Sequence, residues 1–399
     1  MGKRSLSGQA LFALSTLAPL LLASCRSSNF PNYPANYREY AYVTDGASNT
    51  VAVLDLVYLR LDRVLQVGQN PTGVAANPVR NEIYAINSGS GTVSVIDAEN
   101  NRIAATIGVH RLPYFIDIAP DGHRAYVANS GSNSVSVLDL DRRREIAVAG
   151  AGEQPGLARI SPDMRSLVVT NRGSGSVSIF SVSATAQPLQ LRAAFSGCPG
   201  ATDAVILPDS SKAFAACSGS HQVMAISLAA ASGSGQAKQN PFLLTDHLLA
   251  LLDVGQTPVH LALKPDGGEI YVSNFASDSV SEINTQTNEV GGTYTIGSKP
   301  AHAVVSRDNG SLWVSDFGAD SVSLYSIDDG KLISGIRTGA EPDALAFSAD
   351  EHLLLVADAK SGDIAVIRTQ GRLGPELFTM LPAGRTPNAI AVKAFNLKR

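Results

Sequence analysis

Three side chains that could bind a metal ion or transfer a proton stand at the same place in a recurring pattern. His260 and His302 each follow a proline by two residues, in Pro258-Val-His260 and Pro300-Ala-His302, and lie 42 residues apart. Asp203 takes the corresponding place in the preceding unit. Two imidazoles and a carboxylate brought together could ligate a transition metal, bracket a haem, or act as acid and base.

The positions of these residues are set by a repeat that covers most of the chain. A five-residue frame of apolar or aromatic residues ending in Asn or Asp recurs eight times, with one Cys variant, as in Ala125-Tyr-Val-Ala-Asn129. A Gly/Ser loop and an alternating strand follow, and a further strand opens at a proline, at intervals of 42 residues in several units. A period of two, with Val, Ile and Tyr favoured, predicts β-strands. Four strands per period is typical of a propeller blade.

The repeat resembles the YVTN-type β-propeller repeat, and the unit that begins at Ala125 is close to that family's consensus. The resemblance covers roughly residues 40–392 and implies an all-β fold. Eight units predict an eight-bladed β-propeller of four-stranded antiparallel blades. Seven blades is the alternative, because the fifth unit carries Cys217 in place of Asn and an insertion at residues 229–246. Pairing of residues 41–45 with residues 388–392 should close the ring within one blade.

In a propeller the first strand of each blade lines the axial channel. This arrangement predicts that Asp203, His260 and His302 converge at one mouth of the channel, with His110 on the same rim. Asp117 and Arg159 fall at the next channel-facing position of two neighbouring blades, where small residues prevail, so a pairing across the channel is expected. These six residues are the predicted ligand-binding set, and no catalytic residue is assigned. The alternative is a pair of histidines on a funnel wall without a ligand.

The spacing and strand position of His260 and His302 resemble those of two histidines in dissimilatory haem nitrite reductases and their cofactor-maturation relatives. In the eight-bladed domain of that family, two channel-mouth histidines face the bound haem. The residues around His260 do not reproduce that family's motif, and no CxxCH is present for covalent attachment. No cofactor is therefore predicted, and haem or a transition metal is the alternative that the resemblance implies.

The N-terminal residues read as an export signal, with a basic start and an apolar stretch at residues 10–23. The stretch ends in Leu22-Ala-Ser-Cys25, which resembles the lipobox of bacterial lipoproteins and implies cleavage before Cys25 and lipid on its thiol. Arg26 stands where that family's inner-membrane retention signal would be Asp, so the outer membrane is expected, with the propeller periplasmic or on the cell surface. The predicted organisation is a signal peptide at 1–24, a lipidated tether at 25–38 and a propeller at 39–399.

Composition and the remaining cysteines add further constraints. The net charge of −4, without a basic run beyond the first few positions, argues against a nucleic-acid partner.

Cys198 and Cys217 are an even pair in an expected oxidising compartment, which predicts a disulfide bond; the alternative is that Cys217 is a small buried residue. In three units an aspartate replaces the Asn that ends the five-residue frame: Asp45, Asp316 and Asp358. Capping of the following turn explains these aspartates more simply than a calcium site does.

The sequence contains no nucleophile elbow, phosphate loop or zinc-spaced cysteine set. The acidic ligand set that a lactonase-type sugar-acid hydrolase needs is not found either. We therefore expect a non-enzymatic, membrane-anchored extracytoplasmic propeller. Its partner would be a protein, glycan or small ligand on one face, and it would touch the membrane only through the lipid. The alternative is a haem- or metal-dependent oxidoreductase or cofactor-maturation protein that uses the channel-mouth histidines.

Overall fold

The computed structural model describes residues 31–183, 188–230, 241–371 and 374–397. Within these ranges eight four-stranded antiparallel sheets follow one another in a ring, inside the compact unit Pro34–Arg399. The predicted eight-bladed β-propeller is confirmed, and the seven-bladed alternative is excluded. Among the described residues the one short helix is a 3₁₀ turn, η1 (Pro241–Leu244), and no helix is long and apolar enough to cross a membrane.

Each blade has an innermost, a second, a third and an outermost strand. The innermost strands are β4 (Pro71–Ala76), β8 (Pro113–Ile118), β12 (Pro155–Ile160), β16 (Ala201–Ile206), β20 (Pro258–Leu263), β24 (Pro300–Val305), β28 (Pro342–Phe347) and β32 (Pro387–Asn396). The second strands are β1 (Tyr37–Asp45), β5 (Glu82–Asn87), β9 (Arg124–Asn129), β13 (Ser166–Asn171), β17 (Lys212–Cys217), β21 (Glu269–Asn274), β25 (Ser311–Asp316) and β29 (Leu353–Asp358). The third strands are β2 (Thr50–Asp55), β6 (Thr92–Asp97), β10 (Ser134–Asp139), β14 (Ser176–Val182), β18 (Gln222–Ser227), β22 (Ser279–Asn284), β26 (Ser321–Ser326) and β30 (Asp363–Arg368). The outermost strands are β3 (Arg60–Gln66), β7 (Arg102–Gly108), β11 (Arg144–Gly150), β15 (Leu189–Ser196), β19 (His247–Asp253), β23 (Glu289–Thr295), β27 (Lys331–Arg337) and β31 (Glu376–Pro382).

The ring closes through a blade built from both ends of the propeller. Blade 1 combines β1, β2 and β3 with β32, and blades 2 to 8 follow in chain order from β4. In blade 1 the antiparallel ladder pairs Ala41 with Val392 and Thr44 with Ala389, as the sequence predicts. The backbone groups of β32 are thus hydrogen-bonded, and no blade is left open at the junction.

The hydrophobic core lies between the blades, because neighbours cover both faces of each sheet. Every residue of β2 and of β29 is buried, whereas the outermost β11 alternates between exposed and half-buried residues. Between blades 1 and 2, Tyr42 and Val51 pack with Ile83 and Ile96. Burial of apolar surface is worth about 25 cal/mol per Å². These inter-blade layers therefore hold the innermost strands in place.

In six of the eight blades, the Asn or Asp that closes the second strand packs against a glycine of the loop that enters the blade. In blade 4 the amide of Gly152 donates to Oδ1 of Asn171 at 3.0 Å, and Nδ2 of Asn171 donates to Ser176 and Ser178 at 3.1 and 3.0 Å. A Cβ atom on Gly152 would lie 2.6 Å from Cγ of Asn171. The same glycine, three residues before the strand-opening proline, faces Asn or Asp in five other blades: Gly68, Gly255, Gly297, Gly339 and Gly384.

This close packing predicts a strong effect of a single methyl group. In Gly255→Ala the new Cβ would lie 2.6 Å from Cγ of Asn274 and 2.5 Å from Oγ of Ser277. We expect a loss of about 1–3 kcal/mol, typical of overpacking, seen as a lower midpoint in thermal unfolding followed by circular dichroism. The matched control is Gly335→Ala on β27, where a Cβ meets nothing within 4 Å. Equal midpoints for the two variants would contradict the packing argument.

In blade 5 a disulfide bond replaces this contact. Cys198 takes the glycine position, three residues before Ala201, and Cys217 takes the Asn position at the end of β17. The two cysteines are bonded, fully buried, and have Cα atoms 4.6 Å apart. The ladder pairs Cys217 with Ala201, which brings the entering loop over the end of β17. The structure thus joins the two cysteines that the sequence pairs.

Candidate functional site

Side chains from six consecutive innermost strands form a continuous series of contacts along the wall of the axial channel. Each innermost strand shows a register shift close to its opening residue, as between Pro258 and His260, and such bulges re-aim side chains. Consecutive members of the series contact each other across the blade boundaries. We name this series the channel arc, and it consists of Phe115, Arg159, Asp203, His260, His302 and Asp343.

His302 and Asp343 form a hydrogen-bonded pair at one end of the channel arc. Nδ1 of His302 lies 2.9 Å from Oδ1 of Asp343. Burial opposes the protonated imidazole, but the hydrogen bond and charge of Asp343, with the charge of Asp203, raise the pKa of His302. Burial alone would raise the pKa of Asp343, but the contact with His302 lowers it. The pair therefore favours an imidazolium beside a carboxylate.

Asp343 is a residue that the sequence argument did not select. It stands one residue after the strand-opening Pro342. The first and second residues after the strand-opening residue face the channel mouth, and in the eight units only Asp203 is also acidic at these positions. That rarity is the signal that could have identified it.

His260 is held as a neutral imidazole next to His302. The two ring centroids are 4.4 Å apart with planes inclined by 47°. The backbone amide of Ala303 donates to Nδ1 of His260 at 3.3 Å, which leaves the proton of the neutral ring on Nε2. Burial, followed by the charges of His302 and Arg159, lowers the pKa of His260 well below its ordinary value. His260 therefore presents an Nε2–H donor, 3.8 Å from Oδ2 of Asp203.

Asp203 is fixed to the channel wall by backbone amides. Ala204 donates to Oδ1 at 2.8 Å and Leu261 of the next blade donates to Oδ2 at 2.9 Å. Burial raises the pKa of Asp203, and the charge of Arg159 and these two amides oppose the rise. Asp203 thereby links β16 to β20.

Arg159 reaches Asp203, which corrects the predicted pairing of Arg159 with Asp117. Nη2 of Arg159 lies 3.9 Å from Oδ1 of Asp203, and the guanidinium stands over the ring of Phe115, 5.2 Å from its centroid. Asp117 instead accepts a hydrogen bond from the amide of Ile160 at 2.9 Å. The charge of Arg159 still lowers the pKa of Asp117, against a larger rise caused by burial. The Asp117 carboxylate thus hydrogen-bonds to the backbone of β12, and the guanidinium of Arg159 extends to the next blade.

His110 lies apart from the channel arc, contrary to the prediction that it shares the rim with the channel histidines. Its Nε2 is 3.5 Å from Oε2 of Glu145 on the outermost strand β11. With Arg111 and Leu112 it lines a surface groove of about 500 Å³. The loop that carries His110 runs from an outermost strand to an innermost one. His110 sits where six other blades have the packed glycine, so its side chain turns outward.

In the two blades outside the channel arc, the polar side chains near the strand-opening proline hydrogen-bond to the backbone of the neighbouring blade. Thr72 donates to the carbonyl of Tyr114 at 3.3 Å, and Nδ2 of Asn388 donates to the carbonyl of Pro71 at 2.9 Å. Among the described residues, no group of three or more His, Cys, Asp or Glu side chains is arranged to hold a metal ion. Cys25, the predicted lipidation site, lies outside the described residues.

Comparison with known families gives one partial match. Residues 284–379 match the family described as Lactonase, 7-bladed beta-propeller. The matched segment covers less than half of the chain and includes His302 and Asp343, whereas the ring has eight blades. None of the curated proteins matches this sequence.

Solved structures share the propeller fold at low sequence identity. The dihydro-heme d1 dehydrogenase NirN, solved in complex with DHE, has a TM-score of 0.71 at 14% identity, over 92% of this chain and 76% of that one. The Kuenenia stuttgartiensis hydrazine synthase has a TM-score of 0.54 at 19% identity, over 82% and 92%. A putative 6-phosphogluconolactonase from Bacteroides fragilis has a TM-score of 0.59 at 15% identity, over 91% and 100%. At these identities the similarity shows the fold alone.

Proposed function

We propose that this chain is a lipid-anchored, extracytoplasmic β-propeller that binds a small ligand at the mouth of its axial channel. The observation that carries the proposal is the channel arc, which places a guanidinium, two imidazoles and two carboxylates in contact around the channel. Charged groups in such surroundings are costly unless they are paired with each other or with a ligand. A ligand within the channel, rather than a protein on the outer blades, would use these groups.

A binding role fits the chemistry of the channel arc better than a catalytic one. His302 with Asp343 could move a proton, but the channel arc contains no hydroxyl or thiol nucleophile. Ser315, the hydroxyl nearest to His302 in the hydrogen-bond network, accepts from the His302 amide at 2.9 Å and donates to its carbonyl at 3.2 Å. That side chain fixes the backbone of β24 and does not pair with the ring.

Native mass spectrometry of protein purified from its own host tests the binding role. We expect a bound small molecule in the wild type that is lost in Arg159→Gln/His302→Gln. The control is His123→Gln, which changes an exposed histidine paired with Asp141 in a turn and should keep the ligand. A ligand retained by the double variant would place the site elsewhere, and no bound mass in the wild type would contradict the proposal.

Two features support export and anchoring. The Leu22-Ala-Ser-Cys25 segment has the residues of a lipobox, and the Cys198–Cys217 bond is of the kind that oxidising compartments maintain. In Cys25→Ser we expect the protein to move from the membrane fraction to the soluble fraction, or to accumulate unprocessed, because the lipid thioether cannot form. Immunoblots of separated fractions measure this. An unchanged membrane fraction in the variant would show a different anchor.

Haem binding is the second candidate, favoured by the contact between His260 and His302 on the channel wall. Each ring is held through Nδ1, by Ala303 and Asp343 respectively, so each Nε2–H group is left as a hydrogen-bond donor for a haem propionate. These two side chains would hold the haem through such contacts, and the haem would supply redox chemistry. Absorbance titration with hemin tests this: a Soret shift lost in His260→Ala/His302→Ala supports it, and an identical shift in the variant contradicts it.

A further inference from the structure

The channel arc is electrostatically polar along its length. The guanidinium of Arg159, which follows Phe115, lies toward one end, and the carboxylate of Asp343 paired with His302 forms the other end. These two groups lie on β12 and β28, with three innermost strands between them. A ligand that spans the channel mouth would therefore meet hydrogen-bond donors at one end and an acceptor at the other.

The guanidinium of Arg159 donates no hydrogen bond to any residue that the structure describes. The distance of 3.9 Å from Arg159 to Asp203 is longer than a hydrogen bond, and the two Asp203 oxygens accept backbone amides. Nε of Arg159 is buried without a hydrogen-bond partner among the described residues. The ring of Phe115 supports one face of the guanidinium, while 34% of the side chain stays accessible. Since Nε is buried, the end of the guanidinium that carries the two Nη atoms is the edge left for a ligand.

Such an edge matches a carboxylate, which it binds through two parallel hydrogen bonds. The Nε2–H group of His260 adds a further donor between the two ends. A dianion fits less well, because the three carboxylates of Asp117, Asp203 and Asp343 outnumber the Arg159 guanidinium and the His302 imidazolium.

The opposite end supplies an acceptor for a hydroxyl group. Oδ1 of Asp343 is hydrogen-bonded to His302, whereas Oδ2 accepts no hydrogen bond from the described residues, and 32% of the side chain is accessible. A hydroxyl on the ligand can donate to this oxygen.

We propose that the channel mouth binds a small hydroxy-monocarboxylate, with its carboxylate on Arg159 and a hydroxyl on Asp343. This inference rests on the proposed function and names the ligand class of the same site. A neutral sugar would leave the guanidinium without a partner, and a carboxylate without hydroxyls would leave Asp343 unused.

Isothermal titration calorimetry of the purified propeller with four probes tests the ligand class: D-gluconate, D-glucose, acetate and inorganic phosphate. We expect D-gluconate to bind, and the other three to bind at least about 10-fold more weakly, since one charge-assisted hydrogen bond accounts for that much. D-Glucose has the same carbon chain as D-gluconate without the carboxylate, and acetate has the carboxylate without hydroxyls. Equal affinity for D-gluconate and either D-glucose or phosphate would overturn the inference.

Variants locate the contacts. Arg159→Lys keeps the positive charge but removes the planar edge of the guanidinium. It should lower the affinity for D-gluconate about 10-fold or more. Asp343→Asn should reduce the preference for D-gluconate over acetate. The matched control is Arg60→Gln at the start of the outermost strand β3, where the guanidinium lies 5.4 Å from the ring of Tyr58; this variant should leave binding unchanged. Equal D-gluconate affinity in Arg159→Lys and Arg60→Gln would also overturn the inference.

The same panel separates the two proposals. If hemin or D-glucose binds instead, and His260→Gln/His302→Gln abolishes that binding, the carboxylate assignment fails while the channel site stands. If neither the four probes nor hemin binds, the carboxylate assignment fails, and the native mass spectrometry described above decides whether the channel site stands.

Discussion

Replacing both Cys198 and Cys217 with alanine is expected to lower the free energy of unfolding by about 3 kcal/mol. The bond closes a loop with a sequence separation of 19 residues, and its loss frees the unfolded chain. In the folded state the alanines also lose the contact that fastens the entering loop to β17. Chemical denaturation of the oxidised wild type and of the variant measures the difference.

The repeat itself provides a control for this experiment. In Cys198→Gly/Cys217→Asn the two positions carry the glycine and asparagine that blade 4 uses, where Gly152 donates to Asn171. Because the loop geometry recurs, we expect this pair to recover part of the lost stability. The recovery should be incomplete, since Gln222 and Met224 stand where blade 4 has the two serines that accept from Asn171. If the Gly/Asn variant is no more stable than the double alanine variant, the two contacts are not equivalent.

The second large effect concerns Asp316, an aspartate at a position where four blades have asparagine. Burial raises its pKa from 3.8 to about 6, although Ser323 and Ser321 donate to its carboxylate. Since the folded-state pKa is above the unfolded one, the stabilising contribution is complete below about pH 4 and is lost as pH rises through 6. At pH 8 the carboxylate of Asp316 is therefore ionised and buried, which lowers the free energy of unfolding.

Asp316→Asn should accordingly stabilise the protein by about 1–3 kcal/mol at pH 8 and change little at pH 4. The amide can donate to the two serine hydroxyls, as Asn274 does to Ser279 and Ser281 at 3.3 and 2.9 Å. The reciprocal control, Asn274→Asp, should lower stability at pH 8 and regain it on acidification. Urea unfolding at the two pH values measures both. A stabilisation of Asp316→Asn that is the same at both pH values would refute the burial argument.

The features of this structure that can be derived from the sequence are those that the repeat determines. Blade number, closure between β1 and β32, and the Cys198–Cys217 pairing all follow from register, because each position in one unit has an equivalent in the next. The convergence of Asp203, His260 and His302 follows from the same register. Equivalent positions in adjacent blades face the same channel.

Contacts that depend on side-chain reach do not follow from the repeat. Arg159 extends past Asp117, whose carboxylate accepts the Ile160 amide, to Asp203 on the next blade. His110 turns outward because its position is the tight glycine site of the other blades. The partner of His302, Asp343, stands one residue nearer the strand-opening proline than the histidine does, and the bulge at the start of the strands brings the two together.

The measurement that tests the channel site most directly is a crystal structure of the mature protein soaked with sodium D-gluconate. The account predicts density in the channel mouth, with the carboxylate against Arg159 and a hydroxyl within hydrogen-bond distance of Asp343. An unoccupied channel at a D-gluconate concentration that saturates the calorimetric signal, or density only on the outer blades, would contradict it.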